Sequence, residues 1–169
     1  MAHAVEIYPG IWIGDAYSAE DINFLRRFKI GVIVNMTKDF PNFFENESSF
    51  SFNGSYQRLD ENNIKYFRLG VDDWNENTVK KDKKNYEINN FIDNSNLYLN
   101  EIVRLYKSGK NILIHCIQGK QRSTAFAVLL LYHLGIPKNE AYQIIRNKKP
   151  DSFKDGKEIH FFRGIKEVN

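Results

Sequence analysis

The chain has 169 residues, 42% of them hydrophobic and 27% charged, and its formal net charge is +3. This length suits one folded domain, and the apolar content excludes a largely disordered chain. The charge is lower than that of most nucleic-acid-binding domains, so no nucleic-acid partner is expected.

The chain contains a single cysteine, Cys116, so no disulfide can form within it. Its first residues lack the basic start and apolar run of a signal peptide. The longest apolar stretch, Ala125–Leu134, is too short to cross a bilayer. We therefore expect a cytoplasmic protein, with nuclear access possible in principle, and no membrane insertion.

The first part of the chain predicts three strands and one helix. Residues 5–14 indicate two short strands around a Pro9-Gly10 turn. Ser18 is the expected N-cap of a helix that ends near Gly31. The β-branched run over residues 30–35 is typical of a strand buried on both faces.

The middle of the chain is more polar. Residues 38–63 are irregular, although alternating aromatic residues around Asn53-Gly54 favour a hairpin, with a disordered surface loop as the alternative. Residues 64–71 predict another strand. Asp72 and Asp73 follow that strand directly.

The second half alternates helices with a strand. Apolar residues from Ile88 to Tyr106 follow helical spacing, and Gly109 should end that helix. A strand over 111–115 precedes a helix over 122–134, a second over 138–147 and a last over 155–166. Alternating strands and helices predict an α/β fold, in which helices flank a central, mostly parallel sheet.

The run from His115 to Ser123, HCIQGKQRS, joins a buried strand to a helix. Ligands bind at this position in open α/β sheets, and a helix N-terminus favours both phosphate and a cysteine thiolate. Gly119 permits close approach of the backbone, and Arg122 can bind two phosphate oxygens. Ser123 can donate a hydrogen bond to sulfur. His115 is expected to order the loop from behind.

Five residues separate Cys116 from Arg122, enough for a loop that surrounds one phosphate. The competing interpretation is an inert, buried cysteine near an unrelated arginine. Local charge favours the first interpretation, because no acidic residue occurs between Glu101 and Glu140. That interval contains Arg104, Lys107, Lys110, Lys120, Arg122 and Lys138, so the segment is locally positive, which suits an anionic ligand. The alternative is that these residues, other than Arg122, are ordinary solvated charges.

This run resembles the signature of the cysteine-based protein tyrosine phosphatase superfamily, and most of the chain is similar to small dual-specificity phosphatases. The resemblance implies one catalytic domain over residues 1–169, a sheet of about five strands, and insertions at 38–63 and 74–96. It implies that Cys116 is the nucleophile, Arg122 the phosphate clamp and Ser123 the hydroxyl that stabilises the departing thiolate. Asn35 matches a residue that braces the loop. The implied phosphate-binding residues are Ile117, Gln118, Gly119, Lys120, Gln121 and Arg122.

Phosphoester cleavage also needs a proton for the departing oxygen. Asp72 and Asp73 are the candidates for this general acid, and both could instead cap the turn. Alignment with the strand of the resembled family places Asp73 on the acid position, and Asp72 remains the alternative.

The resemblance implies phosphorylated protein substrates, with phosphotyrosine and phosphoserine or phosphothreonine both accepted. Lys120 also resembles a feature of phosphoinositide phosphatases, so lipid and RNA 5′-phosphate substrates remain alternatives. An inactive phosphate-binding module is the alternative of another class. No cofactor is expected, and no metal site, because the four histidines are scattered and lack cysteine partners. The sequence leaves the oligomeric state open.

Overall fold

The computed structural model describes residues 3–37, 40–42, 56–59, 64–69, 84–116 and 122–152. Only the backbone is described at 56–59 and 84–92. The hairpin predicted around Asn53-Gly54 and the last predicted helix, over 155–166, lie outside these residues.

Six strands form one mixed sheet. They are β1 (Ala4–Tyr8), β2 (Ile11–Gly14), β3 (Ile30–Asn35), β4 (Tyr56–Leu59), β5 (Lys65–Arg68) and β6 (Asn111–His115). Their order across the sheet is β1-β2-β6-β3-β5-β4. The central pairings β2–β6, β6–β3 and β3–β5 are parallel, whereas β1 and β4 add antiparallel edges. The predicted α/β fold with a mostly parallel sheet is confirmed.

The described residues also form one 3₁₀ turn and four helices. They are the turn Ser18–Glu20, α1 (Ile22–Arg27), α2 (Lys84–Lys107), α3 (Arg122–His133) and α4 (Lys138–Lys148). Strand β4 falls within the predicted insertion 38–63, and the start of α2 falls within the predicted insertion 74–96. That these segments are insertions stays a prediction. In the part of the chain that the structure describes, no helix is both long and apolar enough to cross a membrane.

The turn between β1 and β2 depends on Gly10. Its φ is 78°, which lies in the left-handed region that residues other than glycine rarely adopt. A Cβ at this position would also lie 2.8 Å from the Asn111 side-chain oxygen. The predicted Pro9-Gly10 turn is therefore present, and it fixes β2 against the central strand β6.

The prediction that Ser18 is the N-cap was wrong. The Asp21 carboxylate caps α1 instead, by accepting a hydrogen bond from the backbone N–H of Phe24 at 3.1 Å. Ser18 donates its own N–H and hydroxyl to the Asp15 carboxylate, at 3.0 and 2.9 Å. Asp15 thus holds Ser18 in the 3₁₀ turn, and the helix starts one turn later.

Both faces of the sheet are covered, because side chains alternate along each strand. Ile112 and Ile114 of β6 join the larger core beneath α2, α3 and α4, whereas Leu113 packs into the smaller core with α1. Helix α3 lies deepest, since every residue from Arg122 to Leu131 is buried. The loop between Cys116 and Arg122 therefore joins two buried elements, β6 and α3.

Candidate active site

The candidate site lies at the carboxyl end of the three central parallel strands. Cys116 directly follows β6, and α3 begins at Arg122. His115 is in register with Gly14 of β2 on one side and with Asn35 of β3 on the other. Three strand ends thus meet here, next to a helix N-terminus, whose partial positive charge attracts anions.

Cys116 and Ser123 are in contact across the loop. The cysteine Sγ lies 3.4 Å from the serine Oγ, and both side chains are buried. A hydroxyl at this distance can donate a hydrogen bond to a thiolate, which stabilises the charged sulfur. The predicted pair is therefore assembled, and the catalytic role of Ser123 stays a prediction.

Arg122 is the first residue of α3 and is only 6% exposed. A buried guanidinium is costly in free energy unless anionic or polar groups surround it. Its position at the helix start, one loop away from Cys116, suits a phosphate clamp. The five intervening residues, Ile117–Gln121, lie outside the described residues, so their phosphate contacts stay a prediction.

His115 is buried behind the nucleophile. Its Nδ1 lies 3.2 Å from the Cys116 carbonyl oxygen, and its Nε2 has no hydrogen-bond partner among the residues that the structure describes. Burial lowers the pKa of this imidazole to about 4, against the raising effects of the Cys116 carbonyl and of Asp15. The positive charges of Arg68 and Arg122 lower it further. His115 is thus neutral at physiological pH, and its Nδ1 N–H can donate to the carbonyl before the loop.

Asn35 is fully buried and organises the segment that follows β3. Its side-chain amide donates to the Phe40 carbonyl and to the Asn42 side chain, both at 2.9 Å. Its oxygen accepts from the backbone N–H and the hydroxyl of Thr37, at 2.9 and 2.7 Å. These bonds hold the chain beside the end of β6, where the Met36 N–H donates to the His115 carbonyl at 2.9 Å. A direct brace by Asn35 on residues 117–121 stays a prediction.

Two charged residues near the site were missed in the sequence. Arg68, at the end of β5, is 4% exposed and donates from Nε to the Thr37 carbonyl at 3.2 Å. Asp15 follows Gly14 and is 8% exposed. For Asp15, a charge directly after the apolar strand β2 was the available signal. Arg68 belongs to a strand that also contains Lys65, so its charge gave no comparable signal.

Asp72 and Asp73 lie outside the described residues, so the choice of general acid stays a prediction. For Lys107 and Lys110, which are exposed, the structure favours the alternative that they are ordinary solvated charges. Both precede β6, whereas Cys116 follows it. A five-residue strand separates them from the loop by about 15 Å, so their charges lie at the other end of the sheet.

Within the residues that the structure places, no group of three or more His, Cys, Asp or Glu side chains is arranged to hold a metal ion.

Comparison with known proteins identifies the family. The sequence profile described as "Dual specificity phosphatase, catalytic domain" matches residues 11–167. Human dual specificity protein phosphatase 6 is 29% identical over 149 residues, which cover 86% of this chain and 32% of that protein. The chain thus spans about a third of the length of the curated relatives that it matches.

Solved structures share the fold. A mouse putative dual specificity phosphatase complexed with zinc tungstate has a TM-score of 0.69 at 18% identity, over 97% of this chain and 84% of that one. The human tyrosine phosphatase-like serine/threonine/tyrosine-interacting protein has a TM-score of 0.65 at 19% identity, over 98% and 95%. With the profile match covering nearly the whole sequence, we conclude that this chain belongs to the dual specificity phosphatase catalytic-domain family.

Proposed function

We propose that this protein is a protein phosphatase that hydrolyses phosphotyrosine and phosphoserine or phosphothreonine through a phosphocysteine intermediate. One observation carries the proposal: the Cys116 thiol and the Ser123 hydroxyl are 3.4 Å apart between the end of β6 and the start of α3. Family membership supports the reaction class, since the curated relatives are named as protein phosphatases.

In the first step, the Cys116 thiolate attacks phosphorus in line with the ester oxygen. The new S–P bond forms as the P–O bond to the leaving group breaks, and Asp73 gives that oxygen its proton. Arg122 and the N-terminus of α3 balance the negative charge on the remaining phosphoryl oxygens.

In the second step, Asp73, now a carboxylate, takes a proton from water as the water oxygen attacks the phosphocysteine. The S–P bond breaks, phosphate is released, and the electron pair returns to sulfur. The Ser123 hydroxyl donates to that thiolate, which makes it a better leaving group. The imidazole of His115 is neutral, and its Nδ1 holds the carbonyl of Cys116 in place.

Two other readings of the site remain to be tested against this one. A phosphoinositide or RNA 5′-phosphatase would use the same nucleophile on another substrate. A binding module without turnover is the alternative of another class, and one protein of this fold is named as a phosphatase-like interacting protein. The complete set of Cys116, Arg122 and Ser123 favours catalysis here.

The first test is turnover of p-nitrophenyl phosphate. We expect hydrolysis by the wild-type protein that is insensitive to chelators, because the proposed nucleophile is sulfur rather than metal-bound water. Cys116→Ser should reduce turnover to the uncatalysed background. The variant protein should still bind a phosphotyrosine peptide, since Arg122 and the helix N-terminus are retained. Wild-type turnover in this variant would contradict the role of Cys116. Peptide binding by the wild-type protein without any turnover would favour the binding module.

A second test identifies the general acid. Asp73→Ala should slow hydrolysis of a phosphotyrosine peptide by about a hundredfold and remove the basic limb of its kcat profile. The same variant should affect p-nitrophenyl phosphate much less, because nitrophenolate leaves without a proton. Asp72→Ala is the matched control and should keep the basic limb. If Asp72→Ala removes that limb instead, the assignment is off by one residue.

The same substrate panel should include a phosphoserine peptide, a phosphoinositide and an RNA carrying a 5′-phosphate. Highest kcat/KM on either of the last two would replace the protein substrate with that alternative while leaving the mechanism intact.

A further inference from the structure

A cavity lies at the amino end of the central strands, at the opposite end of β6 from Cys116. Its volume is approximately 460 Å³, within the range of ligand-binding clefts. Residues that begin or directly precede the parallel strands line it, namely Ile30 and Gly31 at β3, Ile64 before β5, and Lys110 before β6. We name this feature the amino-end cavity.

The floor of the amino-end cavity is apolar. Leu25, Ile30 and Ile64 line it and are buried, and Ile22 of α1 is half-buried beside them. An apolar floor that opens to solvent suits an aliphatic or aromatic side chain, because burying that group releases water from both surfaces.

The rim is positively charged. Arg26, Lys29 and Lys110 line the cavity and are exposed. No carboxylate in the described part of the chain forms an ion pair with any of the three; the ion pairs there join Lys65 and Arg104 to Glu101, and Lys149 to Asp151. Three exposed cations around one cleft attract an anionic partner.

Two details of the backbone place these cations. Lys29 has a φ of 52°, in the left-handed region that glycine and asparagine adopt at a lower free-energy cost than lysine. The side chain of Lys110 lies across Gly31, since a Cβ there would come 2.9 Å from the Lys110 Cδ. The absence of a side chain at Gly31 thus lets Lys110 lie along the cavity wall.

We propose that the amino-end cavity docks an acidic peptide segment of the phosphoprotein substrate, with an apolar side chain in the cleft and flanking carboxylates on the rim. The inference rests on the proposed function for the identity of the partner. A five-residue strand separates the cavity from Cys116, so docking segment and phosphorylated residue must lie at least about 15 Å apart. Docking should therefore lower KM and leave kcat unchanged.

The direct test is binding of a fluorescent peptide in which a pair of leucines is flanked by glutamates, followed by anisotropy. K29E/K110E should raise the Kd of the peptide about tenfold or more. Raised salt should also increase the Kd of the peptide for the wild-type protein. The matched control is K138E/K148E, which has the same net charge but changes α4, on the opposite face of the sheet. Equal effects of the two double variants would mean general charge attraction and would overturn the proposal.

The apolar anchor is tested separately with Ile22→Gln. This half-buried residue is the first of α1, where a polar side chain is compatible with the helix. We expect about fivefold weaker binding of the leucine peptide and little change for a peptide with alanines in place of the leucines. The same loss for both peptides would contradict apolar docking.

Further arms separate this site from the catalytic loop and from other ligands. Saturating inorganic phosphate, at matched ionic strength, should not displace the peptide; displacement would mean binding at Cys116. Vesicles containing a phosphoinositide should not bind through Lys29 and Lys110; such binding without peptide binding would replace the protein partner with a membrane.

Activity distinguishes the two proposals. A phosphotyrosine peptide linked to the acidic leucine segment should show a lower KM than the unlinked phosphopeptide, and K29E/K110E should abolish only that difference. Turnover of p-nitrophenyl phosphate should be the same in K29E/K110E as in the wild-type protein. Normal turnover without peptide binding refutes the docking site alone, whereas peptide binding without any turnover refutes the proposed phosphatase function.

Discussion

At the scale of single residues, the buried His115 links the active site to the pH dependence of stability. Its imidazole has a pKa of about 4 in the folded protein, against the ordinary 6.5, because burial disfavours the charged form. Between these values the unfolded chain binds a proton that the folded protein does not. The contribution to stability is thus complete above pH 6.5, falls as the pH drops, and is lost by about pH 4.

We therefore predict a difference between the wild-type protein and His115→Gln in urea unfolding. On going from pH 7 to pH 5, the wild-type protein should lose about 2 kcal/mol more unfolding free energy than the variant. Glutamine cannot titrate but can still donate to the Cys116 carbonyl, and titration of other groups cancels in the comparison. Parallel losses in the two proteins would show that His115 is not held neutral by burial.

The pairing of Cys116 with Ser123 could be predicted from the sequence, because the two residues flank one short loop between a buried strand and a helix. The chemistry of that loop stays a prediction. Asp15 and Arg68 were not found in the sequence. Asp15 holds Ser18, three residues further along the chain, through two hydrogen bonds. Arg68 reaches the Thr37 carbonyl from a strand thirty-one residues away. No local pattern encodes such a contact.

At the scale of elements, the start of α1 shows how two good capping residues compete. Ser18 and Asp21 are both common N-caps, but Asp15 accepts both hydrogen bonds from Ser18. Asp21 is then the residue whose carboxylate is available for Phe24. Spacing alone could not decide between them, because the decision depends on Asp15 after β2.

Replacing this cap should have a measurable cost. Asp21→Ala should reduce the free energy of unfolding by about 1 kcal/mol, because the Phe24 N–H loses its acceptor. Asp21→Asn keeps an acceptor and should lose much less. Thermal unfolding of both variants checks the expectation, and equal losses would mean that the carboxylate charge, rather than the hydrogen bond, stabilises the helix.

Strong hydrophobic patterns predicted other elements well. The strand over 111–115 and the start of the helix at 122 agree with β6 and α3, because both are continuous apolar runs between clear breaks. Helix α2 begins at Lys84, before the expected Ile88. Its first turn is polar and therefore adds nothing to the periodicity on which the prediction depended.

At the scale of the whole molecule, the arrangement of charge could not be predicted. Lys107 and Lys110 are close to Cys116 in sequence, yet the whole length of β6 separates them from it. Lys110 instead shares the amino-end cavity with Arg26 and Lys29, which are distant in sequence. The fold class follows from alternating strands and helices, but the pairing order across the sheet decides which charges meet.

Helix α3 has a further consequence for anyone who maps tolerance to substitution across this chain. It is buried from Arg122 to Leu131, yet only its first residues face the loop, and the rest pack against α2, α4 and the sheet. A mutational scan scored by activity would mark the entire helix as intolerant, for two unrelated reasons. Substitutions at its start would lower turnover per folded molecule, whereas those further along would lower the amount of folded protein. Normalising activity to soluble protein would separate the catalytic end of the helix from its structural end.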